Sequence, residues 1–169
     1  YLFPDTYRFA LHTDPQEMMI AMVKRFRAAA SRMGLTADFH QTVTLASLVE
    51  KETPIDAERP LVASVFENRL AKNMPLMTDP SVIYAALLEG QYRGTIYQSD
   101  LQADSPYNTY RHEGLPPGPI CNPGLKSLQA AMHPAVTDYL YFVAASADPS
   151  GKSRFSATID EHAKDVQAY

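Results

Sequence analysis

The chain has 169 residues, 46% of them hydrophobic, enough for one domain with a core and too short for two comfortable ones. Its net charge of −4 comes from 15 basic and 19 acidic residues dispersed along the sequence, which leaves no electrostatic footprint for nucleic acid or anionic lipid. A single cysteine, Cys121, excludes an internal disulfide and a multi-cysteine metal site, and no apolar run approaches the ~20 residues that span a bilayer.

The sequence opens on YLFPDTY, without an initiator methionine and already inside an extended, structured segment, so it is expected to be a piece of a longer protein. Asp14-Pro15-Gln16-Glu17 then supplies an N-cap, a proline at the first helical position and a glutamate three residues after the cap. The helix that follows carries Met18, Met19, Met22, Val23, Phe26, Ala30 and Met33 as an apolar stripe, read as core filling, and ends at Gly34. A second helix, from about Asp38 to Lys51, turns Phe39, Val43, Ala46 and Val49 inward and delivers Glu50 near its C-terminal end, before Thr53-Pro54 stops it.

Helical spacing of Leu61, Val62, Val65, Phe66 and Leu70 predicts a third helix over about 57–72, with Pro60 in its first turn and Asn73 as a left-handed terminator. Asp79-Pro80 repeats the cap-plus-proline signal for a fourth helix, with Asp79 as N-cap and Gly90 at the end. Residues 105–124, SPYNTYRHEGLPPGPICNPG, hold five Pro, three Gly, two Tyr and two Asn with almost no periodicity, a shaped loop that folding alone does not demand. Asn122-Pro123 is expected to start a short helix through Leu125, Leu128 and Met132, ended by His133-Pro134. YLYFVAA and RFSAT, separated by DPSGK, read as a hairpin, and Thr158-Ile159-Asp160-Glu161 is a capping box for a last helix containing Val166. The fold class is α+β: one mostly helical domain over 1–169 with a small antiparallel sheet.

Five histidines are present, but none forms HExxH or another close ligand pair, and the adjacent Glu161 and His162 project about 100° apart on a helix. No metal site and no cofactor are expected. Ser47 and Ser105 lack a GxSxG elbow, Cys121 lacks a nucleophile's context, and the prolines of GLPPGPICNPG remove the backbone donors a phosphate loop needs. General acid and base chemistry remains. Glu50 and Glu52 are two residues apart and cannot face one another on a helix, so one acts alone or neither does. Glu50 shares its face with small and apolar groups that could raise its pKa, whereas Glu52, near the helix end beside Lys51, reads as a solvated acid. In the loop, Tyr107 and Tyr110 flank Asn108, offering ring faces and an amide suited to holding a sugar or acetamido group between proline-stiffened walls.

The chain resembles the catalytic region of the endolytic murein transglycosylases, the YceG-like family. LFPDTY at 2–7, ASLVEKET at 46–53, VFENRL at 65–70, TDPSVIY at 78–84, SPYNTY at 105–110, GLPPGPICNPG at 114–124, YLYFVA at 139–144 and EH at 161–162 follow the family's order. The resemblance implies a cell-wall lyase that cuts peptidoglycan strands internally between MurNAc and GlcNAc, leaving 1,6-anhydro-MurNAc ends. It implies Glu50, the first glutamate of VEKE, as the single general acid and base. Thr78, Asp79, Tyr107, Asn108, Tyr110 and Asn122 are the expected glycan-holding residues. Peptidoglycan glycan strands are the implied partner, together with peptidoglycan synthases. A membrane anchor and a LysM-like region, both outside this chain, would place the catalytic domain on the periplasmic face of the inner membrane. Two residues depart from the family pattern: Met77 where it reads Gln, and Ser153 where it reads His. Two alternatives remain open, an inverting glycoside hydrolase with Asp79 as base and a non-catalytic glycan-binding domain.

Overall fold

The computed structural model describes residues 1–146 and 151–168. Among these, the elements run α1 (Pro15–Met33), α2 (Phe39–Glu52), α3 (Arg59–Ala71), α4 (Asp79–Leu88), α5 (Gln98–Leu101), α6 (Leu125–Met132), β1 (Tyr141–Ala144), β2 (Ser153–Ser156) and α7 (Ile159–Gln167). The two strands pair antiparallel with Tyr141 opposite Ser156 and Ala144 opposite Ser153, so the fold is α+β, mostly helical, with one small hairpin sheet. The DPSGK connection lies largely outside the described residues. No helix among the described residues is long and apolar enough to cross a membrane.

The centre of the fold is α2, which packs against α6, α3 and α4. Seven successive residues, Val43 to Val49, are buried, so this helix is enclosed all round rather than along one stripe. Enclosure is tolerable because its polar side chains turn inward on themselves. Thr44 Oγ1 donates to the His40 carbonyl and Ser47 Oγ to that of Thr44, each at 2.7 Å, while Ser47 Oγ also accepts the Ile120 N–H of the proline-rich loop at 3.0 Å. Phe39, expected inside, lies at the exposed start of the helix against Phe26.

Other expectations are adjusted by packing. Asp14 caps α1 by accepting the Gln16 N–H at 2.8 Å, and Gly34 closes it at φ 75°, as the sequence predicts. The Met stripe is only partly core: Phe26, Ala29 and Ala30 are buried, whereas Met19 is 49% exposed on the N-terminal half of the helix. Asn73 takes the left-handed conformation expected of it. Asp79 is not an N-cap. Thr78 holds that position and Asp79 is the first helical residue, because the Asp79 carboxylate is engaged across space by Tyr110. Asn122 does not start α6 either; Gly124 precedes it, and the Asn122 amide oxygen instead accepts from the amino group of Tyr1 and the N–H of Leu2 at 2.9 and 3.0 Å. Val166 of α7 is largely exposed.

From α3, a row of side chains straps the segment leading into β1. Asn68 donates to the carbonyls of Thr137 and Tyr139, and Arg69 Nε to that of Leu140 at 2.7 Å. These bonds seat the hairpin beside the end of α2.

Candidate active site

A cleft of about 450 Å3 opens where the last turn of α2 meets α3, the start of α4, the proline-rich loop, β1 and α7. Glu52, Arg69, Asp79, Tyr110, Tyr141 and His162 bring its polar groups, with Phe66, Leu76, Met77, Phe142 and Ile159 as apolar wall. Burial pushes the Glu52 carboxyl up from its ordinary value to about 7; the neighbouring Asp79 charge adds to the rise and Arg69 opposes it. Glu52 is therefore an acid that keeps its proton near neutrality, and the expectation that it is a solvated surface carboxylate does not hold. The enclosed α2 is the reason, since it carries its final residue into the fold rather than out to solvent.

The groups around Glu52 are firmly placed. Tyr110 donates its hydroxyl to Asp79 Oδ1 at 2.5 Å, and burial together with that bond raises its phenol, so it remains a donor. Arg69 spends Nε and Nη1 on the carbonyls of Leu140, Leu76 and Pro75 and lies 5.3 Å from the Tyr141 ring centroid. From α7, the His162 ring stacks on Tyr141 at 5.2 Å, and its Nδ1 is buried without a hydrogen-bond partner among the described residues. Met77 has φ 53°, a strained backbone for a methionine, held by its N–H to the Thr109 carbonyl at 3.0 Å. Met77 lines the cleft from this turn.

Glu50 occupies a different environment. Its Oε2 accepts from Arg59 Nη1 at 3.1 Å, Ser127 Oγ at 2.6 Å and the Gly124 N–H at 3.0 Å. The carboxylate thus joins α2 to α3, to the exit of the proline-rich loop and to α6, and it does not line the cleft.

The structure divides the remaining expected residues. Asp79 and Tyr110 stand in the cleft with Glu52. Thr78 adjoins them but is buried, its N–H on Thr109 Oγ1 at 2.9 Å. Asn108 is fully buried, and its amide is spent on the carbonyls of Leu101 and Ala103 and on the Tyr110 N–H, which makes it the loop's internal brace rather than a sugar ligand. Tyr107 packs edge-on against Tyr84 with centroids 4.9 Å apart, and Asn122 binds the N-terminal segment. Nothing in the local sequence marks Arg69, Tyr141 and His162 as cleft residues, although each lies in a motif that carries the family resemblance. Among the described residues, no group of three or more His, Cys, Asp or Glu is placed to hold a metal ion.

The YceG-like family model matches residues 1–168 of the chain. The endolytic murein transglycosylase of Bacillus subtilis (strain 168) is 44% identical over 178 residues, covering 100% of this chain and 47% of that protein. The endolytic murein transglycosylase of Streptococcus pneumoniae (strain D39) is 35% identical over 175 residues, covering 98% of the chain and 31% of that protein. A crystal structure of a yceG-like protein from Listeria monocytogenes superposes with a TM-score of 0.81 at 41% identity, covering 97% of this chain and 54% of that one. The chain spans less than half the length of these curated relatives.

Proposed function

The chain belongs to the YceG-like family, and from that premise we propose that it is the catalytic region of an endolytic murein transglycosylase whose single general acid and base is Glu52 rather than Glu50. The observation that carries this reading is the Glu52 carboxyl, raised to about 7 in the cleft while Glu50 is tied into an ion pair outside it. Glu52 protonates the glycosidic oxygen between MurNAc and GlcNAc as that bond breaks. As carboxylate it then takes the proton of the muramoyl 6-hydroxyl while O6 closes on C1, which yields the 1,6-anhydro end and returns the acid to its starting form. No water enters, so a second catalytic carboxylate is not required.

Asp79 and Tyr110 are well disposed to support the positive charge that develops on the sugar, Asp79 by its carboxylate and Tyr110 by fixing that carboxylate's orientation. Tyr141, Phe142 and Met77 offer the flat apolar surface on which a pyranose ring rests. In the same reading the protein works on the extracytoplasmic face of the membrane, where murein lies, alongside the synthases that lay down new strands; fractionation of cells checks the location.

Incubating the protein with murein and weighing the products tests the reaction. The expected ends are lighter by one water than those from hydrolysis. Hydrolytic ends would favour the inverting alternative instead, for which Asp79 in the same cleft is the available base. Full activity in Glu52→Gln would remove the residue assignment.

A further inference from the structure

The carboxyl group of Glu58 is buried, yet among the described residues the groups that hold it are hydroxyls and a backbone amide rather than a cation. Ser153 donates its backbone N–H to Oε1 at 2.7 Å and its hydroxyl to Oε2 at 2.9 Å, and the Thr53 hydroxyl reaches Oε2 at 3.4 Å. Among the described residues no cation pairs with it, and a buried acid held this way is a costly means of stabilising a fold, which an apolar pair of similar volume would serve better. Directional bonds fix a geometry that apolar contact does not.

The three residues of this cluster mark what is being fixed. Thr53 caps the C-terminus of α2, immediately after Glu52. Glu58 precedes the first residue of α3. Ser153 opens β2 opposite Ala144, at the end of the hairpin remote from the Leu140 carbonyl that Arg69 holds. The hairpin is thus pinned at its base by Arg69 and at its far end by Glu58, and between the two pins β1 presents Tyr141 and Phe142 to the cleft. Ser153 itself does not line the cleft; it reaches the site only through Glu58.

We propose that Glu58 and Ser153 form a positioning latch that sets the distance between Glu52 and the aromatic wall of β1, and so the enclosure of the acid. The inference rests on Glu52 acting as the acid. Besides that wall, the ionisable groups facing Glu52 are Asp79 from α4, Arg69 from α3, Tyr110 from the loop and His162 from α7; the latch touches none of them. Release of the latch therefore changes how well Glu52 is enclosed, not which charges surround it.

The test measures kcat and KM on murein across pH, with thermal melting, for wild type, Ser153→Ala, Ser153→Thr and Glu58→Gln. In wild type, activity is expected to fall as pH rises through about 7, where Glu52 loses its proton. Ser153→Ala is expected to lower kcat about tenfold with a smaller change in KM, and to move that fall to lower pH as the acid becomes more solvated. Ser153→Thr, which keeps the hydroxyl, is expected to restore both. Glu58→Gln should repeat the pattern of Ser153→Ala and replaces it if that variant does not fold. A lowered melting temperature with kcat and the pH profile unchanged, in whichever of these two variants folds, would overturn the latch while leaving Glu52 in place. Undiminished activity in Glu52→Gln would instead overturn the reading on which it rests.

Discussion

Glu50 and Glu52 lie two positions apart on α2, which turns their side chains about 200° from one another and gives them separate fates. Glu50 is a structural acceptor: the ion pair with Arg59, together with Ser127 and Gly124, ties three segments to the central helix. Glu52 meets no such donor among the described residues and is raised by burial and by Asp79. Substituting each by its isosteric amide separates the two roles. Glu52→Gln is expected to lower kcat on murein by about 10²–10⁴-fold, the usual worth of a positioned acid. Glu50→Gln should retain kcat within about threefold but lose about 1–3 kcal/mol in urea unfolding, since Arg59 and Ser127 keep only a neutral partner. The opposite ranking of activities would return the role to Glu50.

The elements were legible where their ends carry local chemistry. The Asp14-Pro15 start and Gly34 end of α1 and the capping box of α7 are written in neighbouring residues, and the structure reproduces each. The short α5 has no comparable apolar period to announce it. The enclosure of α2 also escaped, because a helix buried on every face needs partners from distant sequence, and an amphipathic reading gives Glu52 back to solvent. At α7 the local signal has consequences for the cleft. Thr158 Oγ1 accepts the Glu161 N–H at 3.3 Å, and Glu161 Oε2 accepts the Thr158 N–H at 3.1 Å, so the first turn that carries Ile159 and His162 is held at its start. Thr158→Ala is expected to cost about 1 kcal/mol. It should also reduce activity more than Thr158→Ser, because fraying of that turn withdraws His162 from Tyr141. Calorimetry and murein turnover on the two variants check this, and equal activity in both would separate the cap from the cleft.

At the scale of the molecule, the cleft is assembled from α2, α3, α4, the proline-rich loop, β1 and α7, spread from residue 52 to residue 162. Motif order could announce a family across that span, but could not say which of two glutamates faces inward or that Asn108 is a brace. The same convergence couples function to stability. Glu52 titrates near 4.5 when unfolded and near 7 in the fold, so the folded state prefers its protonated form. The sign follows from linkage: between about pH 4.5 and 7 the unfolded chain releases this proton first. The contribution is fully present below pH 4.5 and is lost as pH rises through 7, amounting to about 3 kcal/mol. Other carboxylates titrate in parallel, so the group is isolated by comparing wild type with Glu52→Gln in urea at pH 4.5 and pH 8. Glutamine carries no charge to enclose, and the variant should gain about 3 kcal/mol on wild type between those two pH values while losing turnover. A difference in unfolding free energy that stays constant with pH would mean that the cleft does not hold this acid protonated, and with it the single-acid mechanism would lose its physical basis.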